Sequence, residues 1–147
     1  VCDQTAEELS QYGKCVSLPH DLSTVAGCEA FAKEFAQQEK SLDILVNNAG
    51  AAWGAEFAEY PESGWDKTMD LNVKSLFFLT QKLFDPLKAA ATADRPGKVI
   101  NIASIDGIKI NLLGNFNISY IQYFAKRTVI FVINAGYSDG HIMSSTS

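Results

Sequence analysis

The sequence contains no apolar run approaching the roughly 20 residues that a membrane-spanning helix needs, and its first residues lack the basic-then-apolar pattern of a secretory signal. No membrane partner is expected, and the cytoplasm is the expected compartment. Cysteine is scarce. Cys2, Cys15 and Cys28 are odd in number and show no Cys-x-x-Cys spacing, which argues against both a disulfide framework and a zinc knuckle. Histidine is scarcer still: His20 and His141 each lack a second ligand at metal spacing, so no metal site is expected. Basic charge is also thin. Twelve Lys and Arg stand against seventeen Asp and Glu, for a net charge of −5. The basic residues are scattered and form no stripe that could follow a phosphate backbone, so nucleic acid is not an expected partner.

What is present is ordinary globular material. A chain of 147 residues, 47% hydrophobic and 20% charged, suffices for one domain with a core of its own and is too short for two. It carries no internal repeat. Residues 1–12 are compatible with a helix that closes at Gly13, and they read as the middle of a helix, so a segment upstream is expected. Residues 14–18 have strand character, and Pro19, His20 and Asp21 break it. Ser23 is the expected N-cap of a helix whose apolar positions Val25, Cys28, Phe31, Ala32 and Phe35 recur at three- and four-residue steps. Lys33, Glu34, Gln37 and Gln38 are left facing outward.

Residues 42–46 form a short, almost wholly apolar run with β-branched members, as expected of a strand buried on both faces of a parallel sheet. After a loop with Trp53, Gly54 and Pro61, residues 62–84 predict one long helix carrying Trp65, Met69, Leu71, Val73, Leu76, Phe77, Leu79 and Leu83, with Pro86 near its end. Residues 98–103 predict a second buried strand that delivers Ser104 at its carboxyl end. Helices alternating with strands in this way imply an α/β fold with right-handed crossovers and a doubly wound parallel sheet. Ligands of such sheets bind beyond the carboxyl ends of the strands, where Asp21, residues 47–50 and Ser104 fall. From about Leu112 the composition turns to Ile, Phe, Asn and Tyr, residues 128–133 favour a strand, and residues 137–147 read as an unanchored tail. The expected division is therefore 1–111 and 112–147.

Residues 47–50, Asn-Asn-Ala-Gly, suit the close approach of a flat ligand, because Ala49 and Gly50 keep bulk out of its way. Together with residues 42–46, Asp21-Leu22, Leu71-Asn72-Val73 and residues 101–104 (Asn-Ile-Ala-Ser), in that order and spacing, the turn resembles the short-chain dehydrogenases/reductases. Within them the chain is similar to the 3-oxoacyl-carrier-protein reductases and their rhamnolipid-type relatives. The resemblance runs from about residue 1 to Ile110 and implies a Rossmann-like sheet, here incomplete, with the first two strands and the glycine-rich phosphate turn lying upstream of Val1.

It also implies a site. Asp21 and Leu22 would contact the adenine of NADP or NAD, and Asn48, Ala49 and Gly50 would line the adenosine ribose side of that cofactor. Asn72 would support a proton-relay water, and Ser104 would hydrogen-bond the carbonyl of a small-molecule substrate, stabilising the charge that develops on its oxygen. The family adds a tyrosine followed four residues later by a lysine, whose charge, with the cofactor ribose, lowers the phenol's pKa for proton transfer. Here Gln122 stands four residues before Lys126, and the nearest phenol is Tyr123, three before it. Three-residue spacing still places Tyr123 and Lys126 on one helix face, displaced about 100° from the family register.

Two functional expectations follow. One is an NAD(P)-dependent oxidoreductase that moves hydride between nicotinamide and a carbonyl or secondary alcohol, of a kind that forms homo-oligomers. The other is a catalytically impaired remnant of such an enzyme, or a mis-spliced product of its gene, that only binds or interacts.

Overall fold

The computed structural model describes residues 1–103, in which α1 spans Cys2–Leu9 and α2 spans Val25–Gln38. One hydroxyl sets the start of α2. Thr24, with extended backbone, accepts the Gly27 N–H on its Oγ1 at 2.9 Å and is the N-cap. Ser23, the expected cap, is engaged elsewhere: its N–H and hydroxyl both donate to Asp21 Oδ1, at 3.0 and 2.6 Å. Aspartate competes locally for those donors in the way that makes it a turn former, and the helix begins one residue later than the spacing suggests.

The apolar steps of α2 face inward as expected. Cys28 is fully buried, and Phe31, Ala32 and Phe35 pack on the core. Lys33, Gln37 and Gln38 are exposed, whereas Glu34 is half-buried and its Oε2 lies 2.8 Å from His20 Nε2. Residues 14–18 form no strand. An extended segment becomes a strand only when a neighbour takes its backbone hydrogen bonds, and among the described residues no neighbour does so.

The sheet of the described residues consists of β1, Ile44–Asn47, and β2, Lys98–Asn101. They run parallel, with Ile44 opposite Lys98 and Asn47 opposite Asn101. The ladder is prolonged at both ends, where Lys98 N–H donates to the Asp43 carbonyl at 3.0 Å and Ile102 N–H to the Asn47 carbonyl at 2.9 Å. Burial on both faces is not what the strands show. Leu45 and Asn47 are buried, while Ile44 and Val46 stay 48% and 52% exposed, together with Ile100 and Ile102 on the same face. The helices of the described residues cover one face only.

That covering is the β1-to-β2 crossover. After a single 3-10 turn at Phe57–Glu59 come α3 (Glu62–Met69), a π-helical turn (Asp70–Lys74), α4 (Ser75–Lys82) and α5 (Phe84–Ala90). The one long helix expected over residues 62–84 is thus widened in its middle and broken at Leu83. Leu79, Leu83 and Leu87, at four-residue steps, form one buried stripe that joins Leu45 and Cys28 in the core, flanked by Leu42 and Val99. Burying each leucine contributes about 1.5–3 kcal/mol, which makes this stripe the main support of the fold. Pro86 sits in the first turn of α5, where no intrahelical N–H is required, and its carbonyl accepts from Leu42 N–H at 3.0 Å. Among the described residues no helix is long and apolar enough to cross a membrane.

Candidate cofactor and active site

The chain leaves β1 at a fixed point because Asn47 is tied down. It is 5% exposed, and its Nδ2 donates to Asn101 Oδ1 at 2.8 Å and to Thr80 Oγ1 at 3.2 Å. Both strands end in Asn, and the parallel register sets the two amides side by side. That pairing was readable as two apolar runs each closing on Asn, yet only the topology joins them. Beyond Asn47 the turn residues Asn48, Ala49 and Gly50 are exposed at the carboxyl end of the sheet.

The next residue is clamped. Asn72, buried in the π-helical turn, accepts Ala51 N–H on Oδ1 and donates from Nδ2 to the Ala51 carbonyl, each at 2.8 Å. A Cβ on Gly50 would stand 3.2 Å from the same Oδ1, so glycine lets the turn lie close against the helix. The turn itself is closed by Ser75 N–H donating to the Asp70 carbonyl, five residues back, and is spanned by the Lys74–Asp70 ion pair. Such one-turn π insertions re-aim a helix face, and here the re-aimed residue is Asn72.

A second hold lies two residues on. Trp53 is half-buried against Gly64 of α3, with the Lys67 ammonium 5.4 Å from its ring centroid. The sequence placed Trp53 in this loop but offered no sign of what seats it.

Asp21 lies in the loop before α2 and is exposed. Hydrogen bonds from the Ser23 hydroxyl, and then from its N–H, hold the carboxyl below its ordinary range. Leu22 is half-buried against the core, and its carbonyl accepts the Cys28 thiol at 3.4 Å. Burial pushes that thiol up, with the nearby Asp21 charge adding to the effect and a backbone hydrogen bond opposing it. The structure therefore brings Asn48, Ala49, Gly50 and Asn72 together and sets Asp21 and Leu22 at the start of α2. Ser104, Tyr123, Lys126 and the expected boundary near residue 111 lie outside the described residues. Among the described residues no three His, Cys, Asp or Glu side chains gather as a metal site.

The fit to a dinucleotide rests on this arrangement. Small, exposed turn residues stand at the carboxyl end of a parallel strand, backed by a buried amide that fixes the backbone behind them. Comparison with known proteins agrees with that reading of the fold. The family model for short chain dehydrogenase matches residues 1–119. The chain belongs to the short-chain dehydrogenase/reductase family, whose members are oxidoreductases with a Rossmann fold and nicotinamide cofactors. It is 49% identical over 107 residues to the rhamnolipids biosynthesis 3-oxoacyl-acyl-carrier-protein reductase of Pseudomonas aeruginosa, covering 73% of this chain and 42% of that protein. It is 35% identical over 103 residues to the 2-dehydro-3-deoxy-D-gluconate 5-dehydrogenase of Dickeya dadantii, covering 69% and 40%. Among solved structures it is similar to the Pseudomonas aeruginosa RhlG/NADP active-site complex, with a TM-score of 0.76 and 44% identity over 84% of this chain and 47% of that one. The chain thus spans less than half the length of the curated relatives it matches.

Proposed function

We propose that the chain belongs to a reductase that uses NADP or NAD to reduce a small-molecule carbonyl, of the 3-oxoacyl thioester class. The observation that carries this reading is the Asn72–Ala51 clamp behind the exposed Asn48-Ala49-Gly50 turn. It holds backbone at the place where a parallel sheet receives its ligand and leaves room for a flat group against it. The 49% identical relative is named for reduction of a 3-oxoacyl group, and the similar solved complex is named for NADP. Both support the substrate class and the cofactor.

In this reading Asn48, Ala49 and Gly50 line the ribose, and Asp21 with Leu22 borders the adenine. A bound reduced nicotinamide supplies the hydride. Ser104 donates a hydrogen bond to the substrate carbonyl oxygen. Tyr123 gives that oxygen its proton, and Lys126 holds the phenol in an acidic state. Asn72 positions the backbone and the water chain that refills the proton. A homo-oligomer in the cytoplasm is the assembly and setting this reading takes.

A second reading, a binding-only remnant, is favoured by one feature: Gln122 occupies the position four residues before Lys126, and Tyr123 is one residue out of register. A one-residue displacement turns the phenol about 100° around a helix, and misplacement of about 1 Å can cost 10²-fold in rate. Purified chain with NADPH and a 3-oxoacyl thioester decides between them. Loss of the reduced-nicotinamide absorbance is expected, at a rate proportional to protein and abolished in Ser104→Ala. A flat trace from cooperatively folded chain would sink the enzyme reading and leave the remnant.

A further inference from the structure

The loop from β1 to α3 is held at a second point beyond the Asn72 clamp, and we propose that this makes Trp53 the wall against which the acyl chain of the substrate packs. The proposal rests on the carbonyl-reductase reading above and deepens it by naming a specificity-determining residue.

Two residues of α3 meet the indole. Gly64 is buried, and a Cβ built there would lie 2.6, 2.7 and 2.8 Å from Trp53 Cδ1, Cγ and Nε1. A point nearly equidistant from three atoms of the five-membered ring lies over that ring, so the helix backbone touches the indole face. Lys67, three residues on and therefore on the same side of α3, holds its ammonium 5.4 Å from the ring centroid. The indole lies flat on the helix with its other face turned away from it.

This seating does not serve the core. The buried cluster is built from Cys28, Leu45, Leu79, Leu83 and Leu87, and Trp53 is not among the side chains packed on it. What the seating achieves is to fix a large apolar plane in one orientation before any ligand arrives, which lowers the ordering cost of binding. The location is the carboxyl end of the sheet. Trp53 follows Ala51 by two residues, at most about 7 Å of extended chain from the clamp, and β2 leaves the sheet one strand away, about 4.8 Å across. A carbonyl bound between those two exits has the Trp53 plane within reach of the methylenes attached to it. The ligand chemistry that uses such a plane is a 3-oxoacyl thioester whose alkyl chain is long enough to lie against the ring.

The test uses the full chain carrying Trp65→Phe, in which Trp53 is the sole indole. With NADP present as the oxidised, unreactive cofactor, indole emission is followed while N-acetylcysteamine thioesters of 3-oxobutyrate and 3-oxodecanoate are titrated. NADP binding, and the thioester affinities of every variant including those without Trp53, are measured by calorimetry. The long thioester is expected to perturb the emission saturably and to bind about tenfold or more tightly than the short one. Trp53→Ala should lose that ratio while NADP still binds, and Trp53→Phe, a milder packing change, should narrow it. Gly64→Ala, which lifts the ring from α3, should behave as Trp53→Ala. Equal affinity for the two thioesters with NADP bound, or a ratio that survives Trp53→Ala, overturns the proposal and leaves the reductase reading standing. Chain-length discrimination through Trp53 in a protein that never binds NADP keeps the proposal and overturns the nucleotide reading. A folded chain that binds neither NADP nor thioester overturns both.

Discussion

Asn72 and Ala51 are joined by two hydrogen bonds of opposite sense, the amide oxygen accepting from the backbone N–H and the amide nitrogen donating to the carbonyl, each 2.8 Å long. The pair works like one rung of a sheet ladder set between a helix and a loop. At neutral pH only a carboxamide side chain offers one acceptor and one donor in that fork, and Gln carries it one methylene further from the backbone. The rung ties the middle of the crossover to the exit of β1, so whatever binds at the Asn48-Ala49-Gly50 turn meets backbone that is already in place.

Asn72→Asp keeps the shape and the acceptor but removes the donor, setting a carboxylate oxygen against the Ala51 carbonyl. At pH 7 this should cost about 1–3 kcal/mol, as for a buried polar group left without its partner. Part of the loss should return in acid, where a protonated carboxyl donates again. Urea midpoints at pH 7 and pH 4 report both effects, provided the slope of the transition is unchanged. A wild-type midpoint at pH 7 would mean that the clamp bears no load.

The leucine stripe and the open sheet face make opposite demands. Leu83 is 1% exposed and Val46 52% exposed. Leu83→Ala should therefore cost about 2–5 kcal/mol through lost transfer energy and the cavity left behind, whereas Val46→Ala should cost about 1 kcal/mol or less. Comparable losses for the two would mean that both faces of β1 are packed.

Much of this architecture is legible in the sequence, and the illegible parts share a cause. The apolar steps Val25, Cys28, Phe31, Ala32 and Phe35 report α2 because helical burial repeats with the helical period. Residues 42–46 and 98–101 report strands because an apolar run that short, with β-branched members, has few other uses. The sequence cannot show which strand face is covered, since an uninterrupted apolar run looks the same whether one or both faces are packed. Nor can it show the π-helical turn, because Asp70–Lys74 has ordinary helix composition and the insertion answers to Ala51, far away along the chain. The cap moves from Ser23 to Thr24 for a reason of the same kind: Asp21 takes the serine first. Of the candidate site, the Asn-Asn-Ala-Gly turn is plain in the sequence, whereas the Asn47–Asn101 bridge and the bed of Trp53 exist only once strands and helices have been placed beside one another.

Two of the three thiols should separate by reagent access. Cys2 is exposed and Cys28 fully buried. A disulfide reagent at pH 8 should modify Cys2 at once and Cys28 only on unfolding. Burial raises the Cys28 thiol in the folded chain, so the folded state holds a proton that the unfolded state gives up. Stability should accordingly be whole below the ordinary thiol value of about 8.5 and decline as pH rises past it toward the folded value. Prompt labelling of Cys28 in native protein would contradict its placement on the buried face of α2.

The Asp21–Ser23 turn carries the opposite sign. Asp21 is held below the ordinary aspartate value by the Ser23 hydroxyl first and its N–H second. Its carboxylate therefore supports the turn at every pH above about 3.9, and that support is lost as pH falls through the lowered value in the folded chain. The group is fully exposed, so the effect is local and belongs to the approach of the chain to α2 more than to global stability. A carbon-detected NMR titration of the Asp21 carboxyl should show a midpoint below that of an unstructured aspartate. Ser23→Ala should move it back toward the ordinary value while the N–H bond alone remains, and the Ser23 amide proton in wild type should shift with the same midpoint. An Asp21 that titrates identically with and without the Ser23 hydroxyl would show that the side-chain bond is not what shapes this loop.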